Sequence, residues 1–145
     1  MARGPSVRIV EVGPRDGLQN IKKAVPLEVK VELINRLSAA GTKYLEPTSI
    51  VSPKAIPQLQ DNQALLSTPS IRSLIQRSDT RCPVLVPNLK GLEIAKSLGV
   101  KEICVFISAT EGFSRANINC TVAEGLQRAK EVTESALRSG IAVRG

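Results

Sequence analysis

Short apolar segments that alternate with amphipathic helices predict an α/β protein built on a parallel sheet. The 145-residue chain reads as four complete βα units followed by the start of a fifth strand. Its strands are apolar along their whole length, which is typical of a parallel sheet covered on both faces. The end of a helix, a glycine and then a strand recur in three segments, AAGTKYLE, SLGVKEICV and RSGIAV.

The first half of the chain begins with a strand that Gly13-Pro14 ends, and a polar loop follows it as far as Lys23. Apolar residues at helical spacing predict the next helix, with Pro26 in its first turn. Pro69 interrupts the last helical stretch of this half. The predicted elements are a strand over 7–12, a helix from Leu27 to Gly41, a strand over 43–46, and one broken or two short helices over 58–77.

The second half ends in a long helix whose start is marked by Thr121 and Glu124, the two ends of a capping box. The predicted elements are a strand over 83–87, a helix over 89–98, a strand over 101–107, the long helix up to Gly140, and the opening of a strand over 141–143. The apolar stripe predicted for the long helix consists of Val122, Leu126, Ala129, Val132, Ala136 and Leu137.

Composition excludes several classes of function. Histidine is absent, so this chain offers no Ser-His-Asp triad, no histidine metal cluster and no imidazole acid or base. The 20 Lys+Arg and 13 Asp+Glu give a charge of +7, but the cations are scattered and aromatic residues make up 2%. We therefore expect no nucleic-acid partner, while a small anion that carries phosphates fits the charge. No apolar run reaches the roughly 18 residues that span a membrane, so no membrane partner is expected.

The three cysteines, Cys82, Cys104 and Cys120, form no Cys-x-x-Cys pair, and their odd number cannot close into a disulfide framework. We expect buried free thiols in a reducing compartment. A nucleophilic role for Cys120 is disfavoured because the chain has no histidine to activate it.

Candidate site residues follow the predicted strands, since the carboxyl ends of parallel strands face the reaction site. Arg15 and Asp16 come after the first strand, where they offer a fixed guanidinium fork and an oxygen ligand for a divalent metal. Glu46 ends the second strand and is expected on the same face as Asp16. The alternatives are a surface turn with a local ion pair and a strand-end carboxylate that faces solvent. Polar residues also follow the later strands, at 52–54, 87–91 and 108–111.

Residues 10–20 (VEVGPRDGLQN) resemble the opening signature of the 3-hydroxy-3-methylglutaryl-CoA lyases. The blocks at 49–54, 83–91 and 117–121 match that family in the same order, and SATEGF and NINCT are closest to fungal-type members. The Arg-Asp-Gly element alone is shared with isopropylmalate and homocitrate synthases, whereas the later blocks are more specific.

The resemblance implies the N-terminal half of a (β/α)8 TIM barrel, with residues 1–145 as a partial pyruvate-carboxyltransferase-like domain truncated on its C-terminal side. A closed barrel needs roughly 200 residues or more. An open flavodoxin-like sheet would fit the length, but such sheets usually end on a helix.

The family cleaves 3-hydroxy-3-methylglutaryl-CoA into acetyl-CoA and acetoacetate with Mg²⁺ or Mn²⁺, in leucine catabolism and ketone-body formation. The resemblance implies that Arg15 and Glu46 are catalytic residues and that Asp16 is a metal ligand. Arg15 would stabilise the enolate oxygen and contact substrate, and Glu46 would support the site near the metal and the substrate hydroxyl. Gln19 would bind substrate by hydrogen bonds. The family's remaining metal ligands, a His-x-His pair and an asparagine, and its catalytic cysteine belong to strands beyond residue 145. Pro47 departs from the small or hydroxyl residue usual at its position.

Several interpretations stay open at this point. The chain is the N-terminal half of a lyase, a non-catalytic truncated barrel that binds coenzyme A or another chain, or a related acyl-CoA condensing synthase. Whether the chain alone is an enzyme is open. A half barrel leaves two open sheet edges and an uncovered apolar interior, which favours homo-oligomers or association through those edges. The family suggests a mitochondrial location, but no presequence is visible, and the cytoplasm is the alternative.

Overall fold

The computed structural model describes residues 7–145, in which parallel strand segments lie side by side in chain order. The sheet consists of β1 (Val84–Leu85), β2 (Glu102–Cys104) and β3 (Ala142–Arg144), in that order. Two earlier segments extend it through isolated parallel bridges. Glu11 pairs with Leu45, and the second segment reaches the sheet through Tyr44 to Arg81 and Ser49 to Leu85. A flavodoxin-like sheet would place its first strand between the second and third. The open-sheet alternative is therefore wrong, and the order is that of consecutive strands in a barrel.

Six helices connect and cover these segments. They are α1 (Leu27–Ala39), α2 (Asn62–Ser67), α3 (Pro69–Gln76), α4 (Leu89–Ser97), α5 (Glu111–Ile118) and α6 (Val122–Arg138), with a π-helical turn at Gly13–Gly17 and a 3-10 turn at Pro57–Leu59. The prediction of two short helices broken at Pro69 is confirmed. Thr121 and Glu124 form the predicted capping box at the start of α6. The helix α5 was not predicted; its start is marked by Thr110, whose hydroxyl accepts a hydrogen bond from the Phe113 amide.

The glycines predicted to end three helices adopt the backbone conformation that favours glycine. Gly41 has a φ of 94°, and Gly99 and Gly140 each have a φ of 72°. Because a side chain at positive φ is strained, these positions let the chain turn out of α1, α4 and α6 into the next strand.

Four of the five predicted strands are shorter than the sequence indicates, and two of them show why. Of residues 7–12, Glu11 pairs with a neighbour, whereas Val7 and Ile9 are 89% and 83% exposed. The strand predicted over 101–107 ends at Cys104, and Phe106 and Ile107 are exposed. Apolar composition therefore predicted strand beyond the point where a neighbouring segment supplies hydrogen bonds.

The predicted apolar stripe of α6 is wrong at two positions. Val132 and Ala136 are fully buried, but Leu126 is 49% and Leu137 59% exposed. Leu126 lies instead beside Phe106 and Ile107 in an open apolar groove next to β3, of about 590 Å³. Periodicity identifies the apolar side of a helix, but not how much of that side its neighbours cover.

One face of the sheet packs against the helices in a single apolar core. Val84, Val86 and Ile103 contribute from the sheet, and Ile34 of α1 and Val132 of α6 pack against them. Successive residues of a strand point to opposite faces. The other face therefore carries the alternating residues, which include Glu46, Arg81, Glu102 and Arg144.

This second face is not the apolar interior that the sequence predicts. Arg81 donates two hydrogen bonds of 2.8 Å to the carboxylate of Glu102, and Arg8 lies over the Tyr44 ring at 5.6 Å from its centroid. Charged side chains on this face are paired with one another, as partly buried charges require. Among residues 7–145, no helix is both long and apolar enough to cross a membrane.

Candidate functional site

The turn after the first strand segment places two predicted site residues side by side. The amides of Arg15, Asp16 and Gly17 all donate to the carbonyl oxygen of Val12, at 3.1, 2.7 and 3.4 Å. Pro14, which has no N–H to satisfy, occupies the second position of this turn and is buried. Winding the chain around one carbonyl fixes where the two charged side chains leave the backbone.

Arg15 is held by a buried carboxylate on the neighbouring strand segment. Its Nε donates to Oε2 of Glu46 at 2.8 Å, and its Nη2 lies 2.8 Å from the same oxygen. Glu46 is completely buried, whereas the Arg15 side chain keeps 19% of its surface exposed. The prediction that Glu46 shares a site with the Arg-Asp turn agrees with this geometry, and the solvent-facing alternative for Glu46 is wrong.

The second oxygen of Glu46 meets a residue that the sequence argument missed. Arg144, at the end of β3, forms an ion pair through Nη2 with Oε1 of Glu46. The strand predicted over 141–143 ended one residue before Arg144, whereas β3 includes it. Extending that prediction by one residue would have placed Arg144 at the carboxyl end of a strand, where the other site residues were sought. Two guanidinium groups therefore face one fully buried carboxylate, which offsets part of the cost of burying its charge.

Asp16 and Gln19 complete the cluster on its more exposed side. Asp16 Oδ1 accepts hydrogen bonds from Arg15 Nη1 at 3.0 Å and from Gln19 Nε2 at 2.6 Å. The Asp16 side chain is 49% exposed. The structure thus brings Arg15, Asp16, Gln19 and Glu46 together, in two layers: a buried anchor and a carboxylate open to solvent.

A cavity of about 490 Å³ opens beside Gln19. Its walls come from the loop after the Arg-Asp turn, from the segment around the 3-10 turn and from α5. The lining residues include Gln19, Ile21, Lys22, Ala24, Gln58 and Gln60. A ligand in this cavity would lie next to Asp16, because Gln19 is bonded to that carboxylate.

Two of the other polar residues after the predicted strands stabilise the starts of helices. The Asn88 side chain accepts a hydrogen bond from the Gly91 amide and caps α4, and Glu111 accepts from the Val122 amide at the start of α6. Lys54 and Lys90 are exposed. These contacts explain Asn88 and Glu111 as groups that stabilise helix starts.

The three thiols are free and buried, as predicted. Burial raises the pKa of Cys82 to about 12 and that of Cys104 to about 11, since desolvation disfavours a thiolate. At neutral pH both remain protonated and unreactive. Across residues 7–145, no three His, Cys, Asp or Glu side chains gather in a way that could hold a metal ion.

Residues 6–145 match a family model described as HMGL-like. The chain is 49% identical over 139 residues to a cytoplasmic 3-hydroxy-3-methylglutaryl-CoA lyase from Danio rerio, covering 96% of this chain and 40% of the relative. It is 50% identical to a mitochondrial hydroxymethylglutaryl-CoA lyase from Arabidopsis thaliana, covering 96% of this chain and 29% of that protein.

Solved structures give the same result. The crystal structure of an HMG-CoA lyase from Brucella melitensis superposes with a TM-score of 0.87 at 50% identity, covering 98% of this chain and 48% of that one. A lyase from Acinetobacter baumannii in complex with coenzyme A and 3-methylmalate has a TM-score of 0.83 at 33% identity and covers 94% and 43%. The sheet and helices therefore correspond to the N-terminal portion of the lyase TIM barrel, and the chain spans less than half the length of these relatives.

Proposed function

The chain belongs to the HMGL-like family, and from this premise we propose that it carries the Arg15–Asp16–Glu46 part of a site that cleaves 3-hydroxy-3-methylglutaryl-CoA into acetyl-CoA and acetoacetate. The observation that supports the proposal most directly is the buried Glu46 carboxylate, which fixes the Arg15 guanidinium at 2.8 Å. A cation held in this way needs no reorganisation when negative charge develops beside it.

In the proposed reaction a base removes the proton of the tertiary hydroxyl, and the bond between the hydroxyl-bearing carbon and the acetyl carbon breaks. The electron pair of that bond leaves with the acetyl group as an enolate, whose charge rests on the thioester oxygen. Protonation of the enolate carbon then gives acetyl-CoA and returns the proton taken from the hydroxyl. Arg15 has five N–H groups, and the contacts with Glu46 and Asp16 use Nε, Nη2 and Nη1 once each. The remaining two N–H groups are the donors that we assign to the enolate oxygen.

We assign different tasks to the other three residues. Gln19 lines the cavity and would hydrogen-bond to the substrate there. Glu46 is a positioning residue, because it is fully buried and both its oxygens face guanidinium groups. Asp16 is the exposed carboxylate, and we propose it as the single metal ligand that these residues contribute.

The described side chains do not by themselves fit a complete Mg²⁺ or Mn²⁺ site. Such ions take about six oxygen ligands, of which proteins usually supply one or two carboxylates besides water. Asp16 has one oxygen already engaged by Arg15 and Gln19, and Glu46 is occupied by two arginines. The tasks proposed for Arg15, Gln19 and Glu46 therefore hold without reference to the metal.

Coenzyme A is the proposed partner of the cavity beside Gln19. A relative was crystallised with coenzyme A, and the chain carries a net charge of +7, which suits a ligand with several phosphates.

We also propose that residues 1–145 form a single barrel portion, and that chains associate along β3, where the groove lined by Phe106, Ile107 and Leu126 is open. The relatives include cytoplasmic and mitochondrial lyases. Of these two compartments we propose the mitochondrion, which the family favours.

The test of the activity transfers this chain into a known lyase. Residues 6–145 replace the matching segment of the Brucella melitensis enzyme, and acetoacetate release from 3-hydroxy-3-methylglutaryl-CoA is measured with Mg²⁺. We expect an active chimera that Asp16→Asn inactivates, while Glu93→Gln, which changes an exposed carboxylate on α4, leaves it active. A folded chimera without activity would contradict the proposal.

The 145-residue chain alone gives a second measurement. We expect it to bind coenzyme A but to release no acetoacetate, because it supplies one metal ligand. Acetoacetate release that Asp16→Ala abolishes would show that the site is more complete than its described residues indicate. All the named relatives are lyases, so no observation favours the condensing synthase.

A further inference from the structure

The side chain of Gln58 occupies the junction between the cavity wall and the core. Gln58 lies in the 3-10 turn Pro57–Leu59 and is 8% exposed. Its Oε1 accepts a hydrogen bond from the Val25 amide at 2.9 Å, and its Nε2 donates to the carbonyl oxygens of Ile21 at 3.1 Å and Lys23 at 3.0 Å. The amide thus uses its acceptor and both N–H groups on one loop.

This loop, Ile21–Val25, depends on Gln58 for its conformation. It connects the turn that carries Arg15 and Asp16 with α1, and it contains neither helix nor strand. The Ile21 amide donates to the carbonyl oxygen of Leu18. The other hydrogen bonds of the loop backbone, from the Val25 amide and to the carbonyl oxygens of Ile21 and Lys23, are formed with the Gln58 side chain. A loop held by one side chain is expected to open when that side chain is lost.

Gln58 is itself held from the opposite side by a buried cation. Lys30 of α1 is 3% exposed, and its Nζ donates to the Gln58 carbonyl oxygen. The same ammonium donates to both oxygens of Asp61 at 2.8 and 2.9 Å, which neutralises its charge. The turn that carries Gln58 is therefore fixed to α1, and through Gln58 the loop is attached to the core of the protein.

The same residues form the wall of the cavity beside Gln19. Ile21, Lys22 and Ala24 line it on the loop side, and Gln58 and Gln60 line it on the other. Moving the loop would change the width of the cavity and the position of the Lys22 cation. We propose that Gln58 is a positioning residue, which fixes the loop Ile21–Val25 as a cavity wall and thereby sets the affinity of this cavity for coenzyme A. The coenzyme A part of this inference rests on the proposed function.

The experiment uses the 145-residue chain and two variants of Gln58. Gln58→Ala removes all three hydrogen bonds to the loop. Gln58→Glu keeps the size of the side chain and the oxygen that accepts from Val25, but it turns a carboxylate oxygen toward the carbonyl oxygens of Ile21 and Lys23. This variant replaces Gln58→Ala in the experiment if the alanine variant does not fold. Gln63→Glu is the matched control, because it adds the same charge at an exposed residue of α2 that does not line this cavity.

Amide hydrogen exchange measured by NMR decides the positioning role without any ligand. We expect exchange at Val25 to accelerate about fivefold to tenfold in Gln58→Ala, the factor for one lost hydrogen bond, while amides in α1 and β2 change less than about twofold. A purely structural role would accelerate all of them together and would overturn the proposal, as would unchanged exchange at Val25.

Calorimetric titration with coenzyme A tests whether Gln58 sets the affinity of the cavity for this ligand. We expect affinity to fall about tenfold in both Gln58 variants and about twofold or less in Gln63→Glu. Equal affinities in the wild type and the Gln58 variants would overturn the inference. A wild-type chain that does not bind coenzyme A would refute the proposed ligand of the cavity, and the exchange measurement would still decide the positioning role.

Discussion

Arg144 at the end of β3 pairs with Oε1 of Glu46, whose other oxygen holds Arg15. The last described strand is thereby joined to the turn after the first, through a carboxylate with no exposed surface. The proposed catalytic cation thus depends on a residue from the far end of the chain.

Loss of the Glu46 charge is expected to destabilise the fold strongly. Glu46→Gln leaves Arg15 and Arg144 facing each other without a buried counter-charge, which costs about 3 to 5 kcal/mol of unfolding free energy. Arg36→Gln is the control, because it breaks the exposed Glu32–Arg36 pair and should cost about 0.5 kcal/mol or less. Urea denaturation measures both, and similar values for the two variants would refute the anchoring role of Glu46.

Arg15→Lys tests the fixed guanidinium in the active chimera. Lysine keeps the charge but cannot reach Glu46, Asp16 and the substrate at once, since its donors leave a single atom. We expect kcat to fall about 100- to 1,000-fold with a smaller change in KM, because the lost contact forms in the transition state. A change confined to KM would assign Arg15 to substrate binding alone.

Asp61→Asn tests the buried ion pair that holds Gln58. Lys30 would stay buried with a neutral partner, and because Asp61 is partly exposed we expect a loss of about 2 to 3 kcal/mol of unfolding free energy. Lys30→Met replaces the cation by an apolar side chain of similar length and should cost less. Thermal and urea unfolding measure both; a larger loss in Lys30→Met would contradict the argument.

The buried thiols predict both slow labelling and a fall in stability at high pH. Because the pKa of Cys82 is about 12 and that of Cys104 about 11 in the fold, a disulfide reagent at pH 8 should label them only after denaturant is added. The unfolded chain ionises its thiols near pH 9, so stability is intact below that pH and declines as the pH rises toward 11 to 12. Labelling of Cys82 or Cys104 in the native protein within the mixing time would contradict their burial.

The capping box of α6 predicts an opposite, acidic dependence. The Thr121 amide and hydroxyl donate to Glu124, which lowers the pKa of that carboxyl from its usual value. A lowered pKa in the fold stabilises above the unfolded value and is lost on acidification. The melting temperature of Glu124→Gln should therefore lie below that of the wild type at pH 7 and approach it at pH 3. Glu134→Gln, near the other end of α6, should show no such drop at pH 7.

Local chemistry made much of this molecule predictable. Proline and glycine placed the ends of α1 and α4, and the Thr121–Glu124 spacing placed the start of α6, because caps and turns involve residues a few positions apart. The turn of Arg15 and Asp16 is equally local, and its bond to Gln19 spans three positions. The family's motifs then indicated the barrel, which the solved relatives confirm.

The sequence by itself determined the order of the strands and of the helices other than α5, the glycines that end three helices, and the buried thiols. It also predicted four residues that the structure brings together, Arg15, Asp16, Gln19 and Glu46. Tertiary structure decided which other residues meet: Arg144 with Glu46, Gln58 with Val25, and Lys30 with Asp61. It also decided that Leu126 and Leu137 stay exposed. Such contacts depend on strand register and on which neighbour covers a helix, and both are set by packing between segments far apart in the chain.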